Sequence, residues 1–271
     1  MIKVGLIGAG FMGEMHAACY EALRGNEVFI TAVADVREEK ALKIASAHGA
    51  DVYGTGIGLI ESADVDIIDI CLPTYLHSAH AVAAMEKGRA VFIEKPVCLG
   101  IEESKLMLRT QKKTGAGVMI GHCIRFWPEY MWLKEAFDSG TYGRIVSAVF
   151  RRVSPKPLWS WDNWLHKVEC SGSAALDLHI HDSDFIRHLL GEPKEVESTA
   201  VRDDTGAIQH IITSYEYPDM LVSAEGAWDY PSAFPFCMEY RVKFEKATVV
   251  YSSANTPALV VYTADGRILA P

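Results

Sequence analysis

Short apolar runs alternate with stretches of helical period along residues 1–121 of the chain. Residues 4–7 and 28–34 have the length of buried strands, and Met12, Met15, Ala17 and Ala18 begin a helix between them. Residues 37–48 have helical spacing, with Ala41, Ile44 and Ala45 on one face. Val52 and Tyr53 predict a short strand. Gly54, Gly56 and Gly58 follow with no helix cap or lysine, so they read as a flexible connection. Residues 67–72 read as a continuous apolar run between Asp66 and Pro73, a buried parallel strand. A helix over 76–87 stopped by Gly88, a strand at 90–93, a helix over 102–113 and a strand at 117–121 complete the alternation. That order predicts an α/β domain built on a doubly wound parallel sheet.

The pattern changes after residue 121. Residues 126–137 predict one helix with Trp127 and Pro128 near its first turn, 145–153 a strand, and 155–170 a loop carrying Trp159, Trp161 and Trp164. Residues 172–191 predict one helix with Leu178, Phe185, Ile186 and Leu189 on a shared face, ended by Gly191 and Pro193. Runs at 196–201, 208–217, 221–228, 238–244, 248–251 and 259–262 are strand-like, with turn signals between several of them and no intervening helix. They predict a large, mostly antiparallel open sheet. The expected domains are 1–121, binding a nucleotide, and 122–271, an α+β domain for substrate binding and oligomerisation.

Composition narrows the function classes. The chain has 271 residues, 49% of them hydrophobic, which is ample for a core. A net charge of −9 without a Lys/Arg cluster argues against a nucleic-acid partner. No apolar run approaches the ~20 residues that span a bilayer. The apolar start is too short and glycine-rich for a signal peptide. Cys19, Cys71, Cys98, Cys123, Cys170 and Cys237 form no C-x-x-C pair and read as buried free thiols of a cytoplasmic protein.

Two segments carry candidate chemistry. Gly8, Gly10 and Gly13 stand in the spacing G-x-G-x-x-G between the first strand and its helix. Gly8 permits the tight turn, Gly10 lets a pyrophosphate approach the backbone, and Gly13 lets the helix pack closely. Asp35, at the end of the second strand, is placed to accept from a ribose 2′-hydroxyl and to repel a 2′-phosphate. That favours NAD, while Arg37 two residues on softens the repulsion and leaves NADP possible. Glu94-Lys95-Pro96 ends a predicted parallel strand, where open α/β sheets bind ligands. Pro96 favours an extended Lys95 and so a defined direction for its side chain.

In the second segment Asp177 and His181 are four apart on the predicted helix, a spacing that puts a carboxylate beside a general base on one face. The run also offers His179, His181, Asp182 and Asp184 as metal ligands. Residues two apart on a helix do not converge, so no metal is expected, and His179 reads as a packed histidine. Arg125, Trp159, Trp161, Trp164 and His166 are candidate substrate contacts, since aromatic faces suit sugar rings and arginine suits a carboxylate or hydroxyl cluster.

The order of the glycine fingerprint, Asp35, the segment from Pro73 to His77, Glu94-Lys95-Pro96 and the stretch 172–191 resembles the glucose–fructose oxidoreductase/inositol dehydrogenase family, Gfo/Idh/MocA. The resemblance implies a Rossmann domain followed by a domain with a large open sheet. It implies hydride transfer between a nicotinamide and a carbinol carbon of a sugar, cyclitol or related polyol. It implies cofactor contacts at Gly8, Gly10, Phe11, Met12, Gly13, Asp35, Arg37, Pro73, Thr74, His77, Glu94 and Lys95. Lys95, Asp177 and His181 become the catalytic set, with Lys95 on the reacting oxygen, His181 exchanging the hydroxyl proton and Asp177 positioning the substrate or the base. A homodimer or homotetramer is expected through the sheet face. The chain departs from the family in Ser173 and Ala174, where glycines are common, and in His179, whose bulk is expected to narrow the substrate pocket. It also stops at Pro271, where members carry further helical sequence. The alternatives are a nucleotide-binding sensor without turnover and an NAD-dependent glycosidase-like enzyme.

Overall fold

A computed structural model describes all residues except Arg24 and Asn26. It divides into two compact units, Met1–Gly121 and His122–Pro271.

The first unit runs β1 (Ile2–Ile7), α1 (Phe11–Ala22), β2 (Val28–Ala34), α2 (Glu38–His48), β3 (Asp51–Tyr53), α3 (Gly56–Ser62), β4 (Ile67–Ile70), α4 (His77–Glu86), β5 (Ala90–Ile93), α5 (Ile101–Thr114) and β6 (Val118–Ile120). Its sheet has the order β3-β2-β1-β4-β5-β6, and every pair is parallel. The order reverses between β1 and β4, and ligands of open α/β sheets bind beyond the carboxyl ends of the strands at such a point. Alternation along β1 sends Leu6 to one core with Ala41, Ile44 and Ala45 of α2, and Ile7 to another with Leu59, Ala81 and Met85.

Two expectations for this unit fail. The glycine stretch at 54–58 is no flexible connection, because the Thr55 hydroxyl caps α3 by accepting the Gly58 N–H at 3.1 Å. Gly56 is needed there, since a Cβ would lie 2.5 Å from Ile7 Cγ2. The run 67–72 is not continuously apolar either. Asp69 lies in the middle of β4 with no exposed surface, and a buried carboxylate needs partners.

In the second unit a 3₁₀ turn (Cys123–Phe126) leads into α6 (Pro128–Asp138) and β7 (Ile145–Pro155). The expected loop 155–170 instead folds locally into a 3₁₀ turn (Trp161–His166) and α7 (Val168–Ser171). The helix expected over 172–191 is two, α8 (Ser173–Asp177) and α9 (Ile180–Leu190). Seven strands follow: β8 (Glu195–Arg202), β9 (Ile208–Tyr217), β10 (Met220–Tyr230), β11 (Cys237–Phe244), β12 (Ala247–Ser252), β13 (Leu259–Thr263) and β14 (Ile268–Leu269). With β7 they form one sheet in the order β14-β13-β12-β11-β7-β10-β9-β8, antiparallel except for the parallel pair of β7 and β10. Phe150, Tyr240 and Val242 of the sheet share a core with Tyr130 and Leu133 of α6 and Phe185, Ile186 and Leu189 of α9. Tyr130 stands edge-on to Phe185, with ring centroids 4.8 Å apart. That sheet face is covered, while the opposite face shows Val149, Ile212 and Leu221 to solvent.

The cysteines correct another expectation. All six are free, but only Cys98 and Cys237 are buried, and Cys19 and Cys123 are exposed. No helix among the described residues is long and apolar enough to cross a membrane.

Candidate functional site

The glycine turn is shaped by three different demands. Gly8 leaves β1 with φ +98°, and a Cβ there would lie 2.5 Å from the Cys71 carbonyl oxygen. A Cβ on Gly13 would lie 1.9 Å from the Gly8 carbonyl oxygen, so α1 begins this close to the strand end only with glycine. At Gly10 a Cβ would meet nothing nearer than Arg37 Nη2 at 3.8 Å, which leaves that approach open. Gly10 is also the N-cap of α1 and brings no capping side chain, so the positive end of the helix dipole is offered at the turn. Phe11 is exposed and Met12 half-buried in the first turn.

Asp35 closes the turn. Its carboxylate accepts the N–H groups of Ala9 and Arg37, both at 2.8 Å, and is gripped by Arg37 Nε and Nη2 at 3.0 Å each. Burial raises its pKa, but these donors outweigh burial and hold the carboxyl below the usual range. Arg37 lies over the acid that a ribose would meet.

Beyond β4, Pro73 caps a 3₁₀ turn (Thr74–Leu76) that runs into α4. The Thr74 hydroxyl is buried with no hydrogen-bond partner among the described residues. His77 is buried, with Nδ1 2.9 Å from the Pro96 carbonyl and Nε2 2.7 Å from the Leu72 carbonyl. Burial lowers its pKa against the pull of these carbonyls. The ring thus lies between the end of β4 and the segment after β5.

Glu94 and Lys95 lie at the carboxyl end of β5. Glu94 is buried, and its Oε2 accepts the Lys95 N–H at 3.0 Å. The Lys95–Pro96 peptide is cis. Sequence reasoning missed what stands behind this pair. His16 of α1 has Nδ1 2.9 Å from Asp69 Oδ2 and Nε2 3.1 Å from Glu94 Oε1. Burial opposes charge on the ring, yet the two carboxylates win and push its pKa up to about 10. Cys71 Sγ lies 3.2 Å from the same Nδ1, and burial with the neighbouring carboxylates pushes this thiol well up. A charged residue inside an apolar strand, with a histidine one turn past the fingerprint, was the available signal.

In the second unit Asp177 closes α8 and His181 is the second residue of α9, so the two do not share one continuous helix. The ladder breaks because His179 turns inward. The His179 N–H reaches back to the Ala174 carbonyl at 2.8 Å, and its Nε2 meets the Thr213 hydroxyl of β9 at 2.8 Å. A Cβ on Gly226 would lie 2.7 Å from the His179 Cβ, so that glycine makes room for it. His179 therefore packs on the sheet, and the expectation that it narrows a pocket is not met.

The other members of the candidate metal set have separate partners. Asp182 is wholly buried and paired with Arg152, with Nε–Oδ2 at 3.0 Å. Asp184 accepts from Arg125 Nε at 2.7 Å. Arg125 was a candidate substrate contact, but its guanidinium fork is occupied by Asp184. Trp161 is exposed and Trp164 half-buried in the 3₁₀ turn, and His166 Nε2 is 2.6 Å from the Pro157 carbonyl.

Comparison with known proteins agrees with this layout. The sequence model of an oxidoreductase family with an NAD-binding Rossmann fold, GFO_IDH_MocA, matches residues 2–122, and that of the GFO/IDH/MocA C-terminal domain matches 130–250. The chain is 36% identical over 204 residues to an inositol 2-dehydrogenase of Rhizobium meliloti (strain 1021), covering 73% of this chain and 58% of the relative. It is 31% identical over 207 residues to a levoglucosan dehydrogenase of Pseudarthrobacter phenanthrenivorans, covering 70% and 52%. The matched region thus spans little more than half the length of these relatives. In fold the chain is similar to a levoglucosan dehydrogenase solved with NADH and levoglucosan, at TM-score 0.89 and 23% identity over 99% of this chain and 80% of that one. It is also similar to the WlbA dehydrogenase of Bordetella pertussis solved with NADH and UDP-GlcNAcA, at TM-score 0.85 and 21% identity over 93% and 74%.

Proposed function

The chain belongs to the Gfo/Idh/MocA oxidoreductase family, and from that premise we propose that it is an NAD-dependent dehydrogenase or reductase of a CH–OH carbon in a cyclitol, sugar or related polyol. The residues of the first unit fit the cofactor. Gly10 leaves the approach to the α1 N-terminus open, Asp35 is an ionised acceptor for a ribose hydroxyl, and the buried Thr74 hydroxyl still needs a partner. NAD, when bound there, supplies the hydride acceptor.

The chain's own residues supply the rest. Lys95 brings an ammonium to the reacting oxygen and steadies the negative charge that grows there as hydride leaves carbon. His181 takes the hydroxyl proton on oxidation and returns it on reduction. Asp177 positions the substrate or that histidine. One observation carries the reading: Lys95 follows the buried Glu94 at the carboxyl end of β5, with its amide fixed by that carboxylate. This is the edge of the sheet where such folds bind their ligands.

The polyol class rests on the relatives, which are named for inositol and levoglucosan. Val149, Ile212 and Leu221 on the uncovered sheet face support a homodimer or homotetramer through that face. Six free thiols suit a cytoplasmic setting. The test is the reduced-nicotinamide absorbance on mixing the protein with NAD and a panel of inositols, anhydrosugars, aldoses and sugar acids. The expected result is turnover with a polyol that Lys95→Ala and His181→Ala abolish. Full turnover in Lys95→Ala refutes the assignment.

A further inference from the structure

His16 joins three elements of the first unit through one half-buried ring. It lies on α1 three residues beyond Gly13, so it moves with the helix that starts at the glycine turn. Its Nδ1 reaches Asp69 in β4 and its Nε2 reaches Glu94 at the end of β5. The other oxygen of Glu94 accepts the Lys95 amide. Little slack exists at either step. A Cβ on Gly121 would lie 3.0 Å from Glu94 Oε1, and Phe92 stacks on the His16 ring at 5.3 Å between centroids.

Two carboxylates beside each other in an interior are unfavourable, and an apolar set of similar size is often no less stable. Their presence points to what they hold. Asp69 and Glu94 together keep the imidazole of His16 charged, and a charged imidazole donates from both nitrogens at once. In that form it bonds Asp69 and Glu94 together.

We propose that His16 and Glu94 act together as positioning residues for Lys95, fixing the lysine relative to the helix that carries the cofactor turn. The role rests on the reading of Lys95 as the group at the reacting oxygen. Without His16 the Glu94 carboxylate loses its anchor, the Lys95 amide loses its fixed acceptor, and the ammonium samples several directions. The groups at Gly10 and Asp35 are untouched, so the cofactor still binds. A displacement of about 1 Å at a reacting group lowers rate on the order of a hundredfold, and kcat carries that loss.

The test uses the whole chain as His16→Asn and as Glu94→Gln, the second keeping the shape of the side chain if the first folds poorly. Reductive methylation with ¹³C-formaldehyde places dimethyl labels on the lysines, and a Lys95→Arg variant assigns the Lys95 signal. The expected result is one sharp Lys95 resonance in the unaltered protein, broadened or split in both variants. NADH affinity by fluorescence titration stays unchanged in His16→Asn, and kcat falls on the order of a hundredfold in both variants. A purely structural His16 lowers the melting temperature and leaves the Lys95 signal where it was, which overturns the proposal. A lost NADH affinity with an unmoved Lys95 signal overturns it too. If the unaltered protein turns over no polyol while the Lys95 signal still responds, the coupling holds and the dehydrogenase reading is the part that fails.

Discussion

Arg152 and Asp182 form an ion pair in the interior of the second unit, with Nε 3.0 Å from Oδ2 and Nη2 3.2 Å from Oδ1. The same Nη2 donates to the Tyr130 hydroxyl at 3.1 Å, so β7, α6 and α9 meet at one guanidinium. Asp182 follows His181 directly, and the pair therefore sets where the proposed base leaves the backbone. Arg152→Met strands a buried carboxylate and is expected to lower stability by about 3–5 kcal/mol. Arg152→Met/Asp182→Leu removes both charges and is expected to recover much of that loss. Denaturant unfolding of the two variants checks it, and equal losses would contradict it.

The pH dependence of stability carries the signature of His16. Its pKa rises from 6.5 to about 10 on folding, so the native state holds that proton more tightly. The stabilisation is complete below the unfolded value and drains away as pH climbs towards 10. Melting temperatures of the unaltered protein between these limits are expected to fall more steeply than those of His16→Asn. Parallel slopes would contradict the doubly held imidazolium.

Asp35 is predicted to separate the two nicotinamide dinucleotides. Asp35→Asn removes a charged acceptor, a change worth about 1.5–3 kcal/mol. NAD affinity is expected to fall by at least tenfold. Arg37, released from its bidentate grip, becomes available to a 2′-phosphate, and NADP affinity is expected to rise. Calorimetric titration with each cofactor reads both changes.

Arg125 is predicted to matter for the fold and not for substrate recognition, because Asp184 occupies its guanidinium. Arg125→Met leaves Asp184 short of a partner and is expected to cost about 1–3 kcal/mol of stability. The KM for a polyol substrate is expected to hold steady. A KM that rises with unchanged stability returns Arg125 to the substrate.

How much of this was readable from the residues depended on whether the signal was local. The turn at Gly8, Gly10 and Gly13 and the acid at Asp35 are set by backbone demands that glycine spacing and strand length announce. The apolar runs of β1, β2 and β5 were found for the same reason, since period and length are properties of a few neighbouring residues. The helix expected over 172–191 failed because its break comes from outside: His179 finds Thr213 and the space over Gly226, more than 30 residues away in sequence. His16, Asp69 and Glu94 were out of reach for the same reason, as their contacts span 53 and 78 residues. Arg125 has a partner that no local pattern announces, since Asp184 lies 59 residues further along the chain. The Thr55 cap is local as well, a hydroxyl three residues before the N–H it accepts.

The measurement closest to the central claim follows the hydrogen itself. The protein is incubated with NAD and a polyol deuterated at its carbinol carbon, and the reduced cofactor is examined by NMR. Deuterium on one face of the nicotinamide, with a slower turnover than the protiated polyol and no transfer in His181→Ala, is the predicted result. Cofactor that binds while no deuterium reaches the nicotinamide from any polyol tested would contradict the account.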